Sequence, residues 1–241
     1  MKRILMVATG GTIASMPETR GTGLAPELTG EELVGYVPQA RGLCDLDIVQ
    51  PMNIDSTNMR PRDWMRIAAT IMDAYDAYDG FVVLHGTDTM AYTAAALSYL
   101  IQGSPKPIVL TGSQQPMANP FTDAKLNLYQ SLLYATDDNS RDVSIVFGGS
   151  VIVGTRAHKQ RTMSFNAFTS VNYPLPAIIR NDRIVREGRE GMTITGSSVT
   201  PAQRAGHPRV YERLDEHVVV IRLTPGLGPG ILDALGPGFN A

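Results

Sequence analysis

Residues 81–89 have the sequence FVVLHGTDT, and this segment indicates the fold class most clearly. Four apolar residues in a row are typical of a strand that is buried on both faces of a sheet. A glycine follows closely, so the chain can turn sharply and place Thr87, Asp88 and Thr89 where a helix begins. We predict a strand, a tight turn and an alanine-rich helix from Thr89 to Gln102, which is the repeating unit of parallel sheets.

The same alternation of strands and helices recurs on both sides of this stretch. Further strands are predicted at Ile4 to Ala8, Asp47 to Val49, Pro107 to Leu110 and Val143 to Phe147. Further helices are predicted from Pro61 to about Tyr78 and from Thr122 to Ala135, the latter with Thr122 as its N-cap. The glycine pair at 148–149 predicts a hairpin into a strand at 151–153. The whole pattern indicates an α/β fold, a doubly wound and mostly parallel sheet with helices on both faces.

The composition changes near residue 187 and indicates a domain boundary. We predict an N-terminal domain at residues 1–187, a linker with several glycines and prolines at 188–216, and the beginning of a second, smaller α/β domain at 217–241. Within this last segment we predict a strand from His217 to Leu223 and a short helix from about Ile231 to Leu235. One strand and one helix cannot bury their own apolar faces, so we expect a homodimer or homotetramer to cover them.

Composition and charge exclude several classes of protein. The chain has 241 residues and a net charge of -2, which gives no electrostatic reason to expect nucleic acid or an anionic membrane as a partner. Cys44 is the only cysteine, which excludes an internal disulfide and fits a reducing compartment. The sequence shows no signal peptide and no apolar stretch long enough to span a bilayer, so we expect a cytoplasmic protein.

Polar residues follow the predicted strands at the ends where a ligand would bind. In a doubly wound sheet the ligand lies beyond the carboxyl ends of the parallel strands. The segments at those ends are rich in hydroxyl, amide and carboxylate groups: residues 10–12, residues 52–58, residues 85–89 and residues 111–114. We therefore predict one crevice that collects all four segments.

Two of these segments carry the more specific signals. Around Thr87 and Asp88, backbone N–H groups at the start of a helix could bind an oxyanion; the alternative is simple helix capping. Asp55 and Ser56 could hold the α-amino and α-carboxylate groups of an amino acid. The alternative for them is a solvated loop with local hydrogen bonds between side chain and backbone.

Lys159 is the candidate base. A lysine beside a threonine in a closed pocket is partly desolvated, which favours its neutral form and lets it activate the hydroxyl. The alternative is an ordinary solvated lysine on the surface. His85 precedes the turn, and we expect it to be a structural residue. The other histidines lack metal-ligand spacing, so we expect no metal site.

Four motifs together resemble the bacterial L-asparaginase family, and the cytoplasmic type I branch most closely. They are TGGTIAS at residues 9–15, HGTDTM at 85–90, TGSQ at 111–114, and GTR at 154–156 with Lys159. The resemblance extends from Met1 to about Leu235 and implies hydrolysis of L-asparagine to L-aspartate and ammonia without a cofactor.

The resemblance also implies roles for individual residues. Thr12 takes the position of the nucleophile, and Thr87, Asp88 and Lys159 form a second catalytic cluster in which Lys159 activates Thr87. Asp55 and Ser56, together with Asp88, match the positions that hold the α-amino and α-carboxylate ends of the substrate. Backbone N–H groups around Thr87 would polarise the amide carbonyl. Which of the two threonines attacks first stays open.

The sequence departs from the family pattern at two places. Many members carry a tyrosine in the flexible segment after the first threonine, where this chain has Leu24. The second domain of the family is represented only by its first strand and helix. The incomplete second domain motivates one alternative to an asparaginase, a non-catalytic module that binds an amino acid or regulates another protein. The other alternative is a related subunit of a tRNA amidotransferase.

Overall fold

The computed structural model describes residues 1–11, 35–40, 42–186, 206–228 and 230–235. Two residues of the sequence analysis, Thr12 and Leu24, lie outside this part of the chain. The same holds for residues 188–205 of the predicted linker.

The described elements alternate as the sequence predicts. The α-helices are α1 (Pro61–Asp73), α2 (Met90–Leu100), α3 (Ala124–Thr136) and α4 (Gly230–Leu235). The strands are β1 (Lys2–Ala8), β2 (Cys44–Val49), β3 (Gly80–Leu84), β4 (Ile101–Gln102), β5 (Pro107–Thr111), β6 (Asp142–Phe147), β7 (Ser150–Val153), β8 (Ala157–Lys159), β9 (Phe168–Ser170), β10 (Ala177–Arg180), β11 (Arg183–Val185) and β12 (Arg209–Val210). None of the helices in the described ranges combines the length and apolarity needed to cross a membrane.

Within the described ranges, eight strands form the main sheet, in the order β11-β10-β7-β6-β5-β3-β1-β2. The five strands β2, β1, β3, β5 and β6 are parallel, and β7, β10 and β11 extend the sheet through antiparallel pairs. The predicted doubly wound, mostly parallel sheet is therefore confirmed. From β1 the chain passes first to β2 on one side and then to β3 on the other. The strand order thus reverses between β1 and β3, and ligands of such sheets bind at this switch point.

Two apolar clusters cover the two faces of the sheet. Alternate residues of β1 divide between them: Leu5 and Val7 face α1 and α2, whereas Ile4 and Met6 face α3. Strands β3 and β5 are buried along their whole length, as expected for central strands between two helical layers. The predicted arrangement of helices on both faces is confirmed, and it fixes the strand ends that carry the polar loops.

Helix ends differ from the predictions for tertiary reasons. Helix α1 stops at Asp73 instead of Tyr78, because Tyr75 turns inward, stacks on Phe81 and hydrogen-bonds Ser104 at 2.7 Å. Helix α2 stops at Leu100, because β4 pairs with β12. Helix α3 begins one residue later than its predicted cap implies. Asp123 is the N-cap residue, and the Thr122 hydroxyl accepts the backbone N–H of Ala124 at 2.9 Å.

The predicted strand from His217 to Leu223 is wrong. Residues 217–223 form no strand, and Val220 and Leu223 are 91% and 83% exposed. A run of β-branched residues favours an extended chain, but a strand also needs a neighbour for its backbone hydrogen bonds, and the described residues pair none with it. The short helix predicted after it is confirmed as α4.

The packing of α1 gives a first test of the fold. Ile67 is fully buried between α1 and the sheet, so Ile67→Ala should lower the free energy of unfolding by about 2–5 kcal/mol. Urea unfolding measures this change. The neighbouring Arg66 is exposed, and Arg66→Ala should change the free energy of unfolding by less than about 0.5 kcal/mol. Equal effects of the two variants would contradict the predicted orientation of α1.

Candidate active site

The loops that follow β1 and β3 lie against each other, backbone to backbone. Gly11 has a positive φ of 88°, and a Cβ built on it would lie 2.6 Å from the Gly86 nitrogen. A side chain at Gly11 would therefore push the two loops apart. This contact explains the glycine at position 11 and brings the segment before Thr12 next to Thr87.

The loop after β5 is held against the β3 loop in the same way. A Cβ on Gly112 would overlap the carbonyl oxygen of His85. Three neighbouring parallel strands thus end in loops that touch through their backbones. These three segments of the predicted crevice lie together at one edge of the sheet.

Thr87 and Asp88 are brought together with Lys159. The Lys159 ammonium donates to Thr87 Oγ1 at 2.9 Å and forms an ion pair with Asp88 Oδ1 at 2.5 Å. The Lys159 side chain is only 11% exposed, whereas that of Asp88 is 56% exposed. Lys159 is therefore not an ordinary surface lysine. It is a nearly buried cation whose charge is balanced by a carboxylate at the mouth of the site.

A small hairpin places Lys159 in this position. Strand β8 follows Gly154, where the chain packs tightly on α2, and it pairs with β9. Phe168 of β9 lies opposite Lys159 and is anchored by an edge-on contact with Phe147, with ring centroids 5.0 Å apart. The lysine is 72 residues away from Thr87 in sequence, so only the folded hairpin brings them together.

The β2 loop contributes Asp55 and Ser56. Asp55 accepts hydrogen bonds from the backbone N–H and the hydroxyl of Thr57, both at 2.9 Å, and the backbone bond is the larger cause of a lowered pKa of Asp55. The alternative of local hydrogen bonds between side chain and backbone therefore describes what this carboxylate does in the loop itself. Ser56 is buried against Gly86, and the Thr89 hydroxyl donates to the Ser56 carbonyl at 2.7 Å. These contacts join the β2 loop to the start of α2.

Thr9, the first threonine of the N-terminal motif, has a structural role. Its side chain is buried, and its hydroxyl donates to the Leu84 carbonyl at 2.8 Å, which joins the ends of β1 and β3. The Thr9 hydroxyl is therefore engaged in a hydrogen bond inside the sheet. Thr12 is the threonine of this motif that remains a candidate for chemistry, and it lies outside the described residues.

Two residues that the sequence analysis did not assign also belong to this site. Gln114 Oε1 accepts a hydrogen bond from Thr87 Oγ1 at 3.3 Å, so the β5 loop reaches the candidate cluster. Asp123 in turn accepts the backbone N–H groups of Gln114 and Gln115. Gln114 stands in the TGSQ motif, which could have signalled it. Asp123 is an ordinary helix-start residue in the sequence and gave no signal.

His85 is a buried structural residue, as predicted. Its Nδ1 donates to the Gly86 carbonyl at 2.7 Å, and its Nε2 accepts from Thr93 Oγ1 at 2.9 Å. The Trp64 indole N–H donates to the same hydroxyl. Burial lowers the pKa of His85 to about 4, and the hydrogen bond to Gly86 opposes this only in part. The ring is therefore neutral at pH 7 and holds the turn before Thr87.

Comparison with known proteins identifies the family of this chain. Residues 3–190 match the family model described as "Asparaginase, N-terminal". The chain belongs to the asparaginase family. An L-asparaginase from Thermococcus kodakarensis is 36% identical over 238 residues, which cover 97% of this chain and 67% of that protein. A subunit of the glutamyl-tRNA(Gln) amidotransferase from Metallosphaera sedula is 33% identical over 242 residues, which cover 97% of this chain and 53% of that protein.

Solved structures of asparaginases share the fold. The thermostable L-asparaginase from Thermococcus kodakarensis superposes with a TM-score of 0.84 at 36% identity, over 98% of this chain and 68% of that chain. L-asparaginase I from Vibrio cholerae gives a TM-score of 0.81 at 32% identity, over 97% of this chain and 68% of that chain. The present chain therefore spans about two thirds of these asparaginases and about half of the amidotransferase protein. Its family places it among the hydrolases that act on linear amides.

The neutral state of His85 gives a pH test. The pKa of an unfolded histidine is about 6.5, so between pH 6.5 and 4 the unfolded chain binds a proton that the folded chain does not. This linkage lowers the free energy of unfolding by up to about 1.4 kcal/mol per pH unit as the pH falls through that window, and it contributes nothing above it. NMR of the His85 imidazole should show a neutral ring down to about pH 4. A titration midpoint near pH 6.5 would contradict the buried, neutral assignment.

Proposed function

We propose that this chain is an L-asparaginase that hydrolyses L-asparagine to L-aspartate and ammonia with a threonine nucleophile and no cofactor. The observation that carries this proposal is the contact of Lys159 Nζ with Thr87 Oγ1 and Asp88 Oδ1, at 2.9 and 2.5 Å, beside the glycine loop that precedes Thr12. A hydroxyl, an amine and a carboxylate in hydrogen-bond reach are the parts that threonine-based acyl transfer needs.

The proposed reaction has two acyl-transfer steps. A threonine hydroxyl, assigned to Thr12 by the family resemblance, attacks the side-chain carboxamide carbon as its proton passes to a base. The base gives that proton to the amide nitrogen, the C–N bond breaks, and ammonia leaves. Water then attacks the resulting ester, its proton passes to the threonine oxygen as the C–O bond breaks, and L-aspartate is released. Thr87, Asp88 and Lys159 supply the second hydroxyl, the carboxylate and the amine. Lys159 acts as a base only after its ammonium has released a proton, and Asp88 is the neighbouring acceptor.

Electrostatic stabilisation comes from the start of α2. The developing oxyanion of each tetrahedral intermediate would lie near backbone N–H groups around Thr87, two to three residues before α2 begins at Met90. The positive end of the helix dipole adds to their effect. The tight packing of the glycine loops keeps these N–H groups in place before the substrate arrives, so no reorganisation is required during the reaction.

The substrate ends would be held by the β2 and β3 loops. Asp55 and Asp88 are exposed acidic residues on adjacent loops at the site, and either carboxylate can accept from an α-ammonium group. The lowered pKa of Asp55 keeps it ionised at neutral pH. Ser56 adds a hydroxyl near the same place. Glutamine differs from asparagine by one methylene, which a pocket discriminates weakly, so slower glutamine hydrolysis is expected.

We also propose that the protein acts in the cytoplasm as a homodimer or homotetramer, with L-asparagine as its small-molecule partner. The single cysteine supports a reducing compartment, and the net charge of -2 argues against nucleic acid as a partner. The exposed apolar residues of 217–223 support an assembly in which another surface covers them. With the proposed division at residues 187 and 216, the site belongs to the N-terminal domain.

A second candidate is a subunit of a tRNA-dependent amidotransferase. The similarity to the amidotransferase protein of Metallosphaera sedula, which covers nearly all of this chain, favours it. The L-asparaginase of Thermococcus kodakarensis is the more similar of the two, at 36% against 33% identity, which favours the first candidate. A non-catalytic amino-acid-binding module is the third alternative. Release of ammonia from free L-asparagine by the purified chain alone supports the first candidate against both others.

Substitution of Lys159 tests the proposed machinery. Lys159→Met keeps the length of the side chain but removes the amine, so kcat for L-asparagine should fall about 10²–10⁴-fold, the scale of a catalytic base. Ammonia release under saturating asparagine measures this change. The matched control is Lys125→Met on the exposed face of α3, which should keep the activity of the wild type.

Circular dichroism of both variants checks that the fold is retained. Near-wild-type turnover by folded Lys159→Met would remove this residue from the mechanism. No ammonia from the folded wild-type chain would contradict the proposed function itself.

A further inference from the structure

The side-chain amide of Gln114 bridges two parts of the candidate site. Its Oε1 accepts from Thr87 Oγ1 at 3.3 Å, and its Nε2 donates to the Ser164 carbonyl at 3.1 Å. Ser164 lies between β8 and β9, in the hairpin that carries Lys159. A carbonyl oxygen can only accept a hydrogen bond, so it fixes which end of the amide faces it. Nε2 must face Ser164, and Oε1 must therefore face Thr87.

This amide orientation fixes the direction of the Thr87 proton. Oε1 can only accept, so the Thr87 hydroxyl donates to it. The oxygen lone pairs of Thr87 then face Lys159, whose ammonium donates to them at 2.9 Å. Thr87 is thus held as an acceptor from Lys159 and as a donor to Gln114. Its proton can turn toward Lys159 only after the amine has lost a proton of its own.

Gln114 is itself held by a buried carboxylate. Asp123, which is 9% exposed, accepts the backbone N–H of Gln114 with both carboxylate oxygens at 3.0 Å and the N–H of Gln115 at 3.1 Å. The Asp123 side chain makes no capping bond to α3, although it occupies the N-cap position. Asn127 supports this arrangement from the next turn of α3, with hydrogen bonds from its amide to Asp123 Oδ2 and the Gly112 carbonyl at 3.1 and 3.0 Å.

We propose that Gln114 is a positioning residue of the amide hydrolysis, which directs the Thr87 oxygen to Lys159 by accepting the Thr87 proton in the resting site, and that Asp123 holds Gln114 in place. This inference rests on the proposed function. It adds a role that a purely structural loop residue would not have, because it links the protonation state of Lys159 to the direction of the Thr87 hydroxyl.

Variants of two adjacent glutamines test the inference. Gln114→Met keeps the length of the side chain but removes both hydrogen bonds, so the Thr87 hydroxyl loses its fixed direction. We expect kcat for L-asparagine to fall about tenfold or more, with KM changed by less than about threefold, because the lost interaction orients a catalytic group. Gln115→Met is the matched control on the same loop, since the side chain of Gln115 contacts Asn119 and not Thr87.

Gln114→Glu gives the readout that separates positioning from simple loop stability. When protonated, the introduced carboxyl group can donate to the Ser164 carbonyl and accept from Thr87, which reproduces the native pattern. When ionised, it can only accept and faces the Ser164 carbonyl without a proton. The kcat of Gln114→Glu relative to wild type should therefore rise as the pH falls from 8 to 5. A pH-independent ratio, or a wild-type kcat for Gln114→Met, would overturn the proposal.

A further variant tests the role of Asp123. Asp123→Asn places the N–H groups of an amide next to the backbone N–H groups of Gln114 and Gln115, which donate to the native carboxylate. We therefore expect a loss of kcat similar to that of Gln114→Met. In the double variant the two losses should not multiply, because both act through the same side chain. Independent, multiplicative losses would show that Asp123 does not act through Gln114.

A crystallographic measurement keeps this inference distinct from the proposed function. Should the wild-type chain release no ammonia, the function fails, but the positions of Thr87 and Lys159 in wild type and Gln114→Met still test the positioning. The Thr87 side chain should occupy one rotamer in the wild type and more than one in the variant. An unchanged single rotamer with the same contact to Lys159 would contradict the role of Gln114.

Discussion

The close approach of backbones at the carboxyl edge of the sheet is the constraint on which the site depends. Gly11 leaves no room for a side chain against Gly86, and Gly112 leaves none against the carbonyl of His85. These contacts hold the loops after β1, β3 and β5 together at one edge of the sheet. Thr87 lies in the β3 loop, and the other groups of the site come from the β2 loop and from the β8–β9 hairpin.

The charges of the site depend on which groups are buried and which are exposed to solvent. Lys159 is nearly buried and faces both the Thr87 hydroxyl and the half-exposed Asp88 carboxylate. The buried His85, behind the turn, stays neutral because burial disfavours its charged form. The positive charge of Lys159 is thus balanced on the solvent side and not from within the core. In the proposed mechanism, the α-ammonium group of the substrate competes with Lys159 for Asp88.

The sequence predicted the parts of the fold that local patterns specify. Apolar runs indicated β1, β3, β5 and β6, and the motif at Thr87 located the start of α2, because both signals lie within a few neighbouring residues. Ligands of doubly wound sheets bind beyond the carboxyl ends of the parallel strands, so the loops that follow these strands were predicted to lie together at one edge. The strand at 217–223 was predicted by the same kind of signal and failed, since β-branched residues indicate an extended chain but do not supply a pairing partner.

Other parts of the site could not be predicted from local patterns. The contact of Lys159 with Thr87 joins residues 72 positions apart, and the bond from Gln114 to Ser164 joins residues 50 apart. Such pairs depend on the path of a hairpin over α2, which no spacing in the sequence specifies. The sequence and the resemblance to asparaginases both named Lys159 as the candidate base, whereas the bridging role of Gln114 and the support from Asp123 emerged only from hydrogen-bond geometry.

We propose that one crevice at the β1–β3 switch point binds and hydrolyses asparagine. A crystal structure of the chain with its proposed product, L-aspartate, is the decisive test. We expect the side-chain carboxylate of the product between the Gly11 loop and Thr87, with its α-ammonium group near Asp88. L-Aspartate bound elsewhere on the molecule, with this crevice empty at saturating concentration, would contradict it.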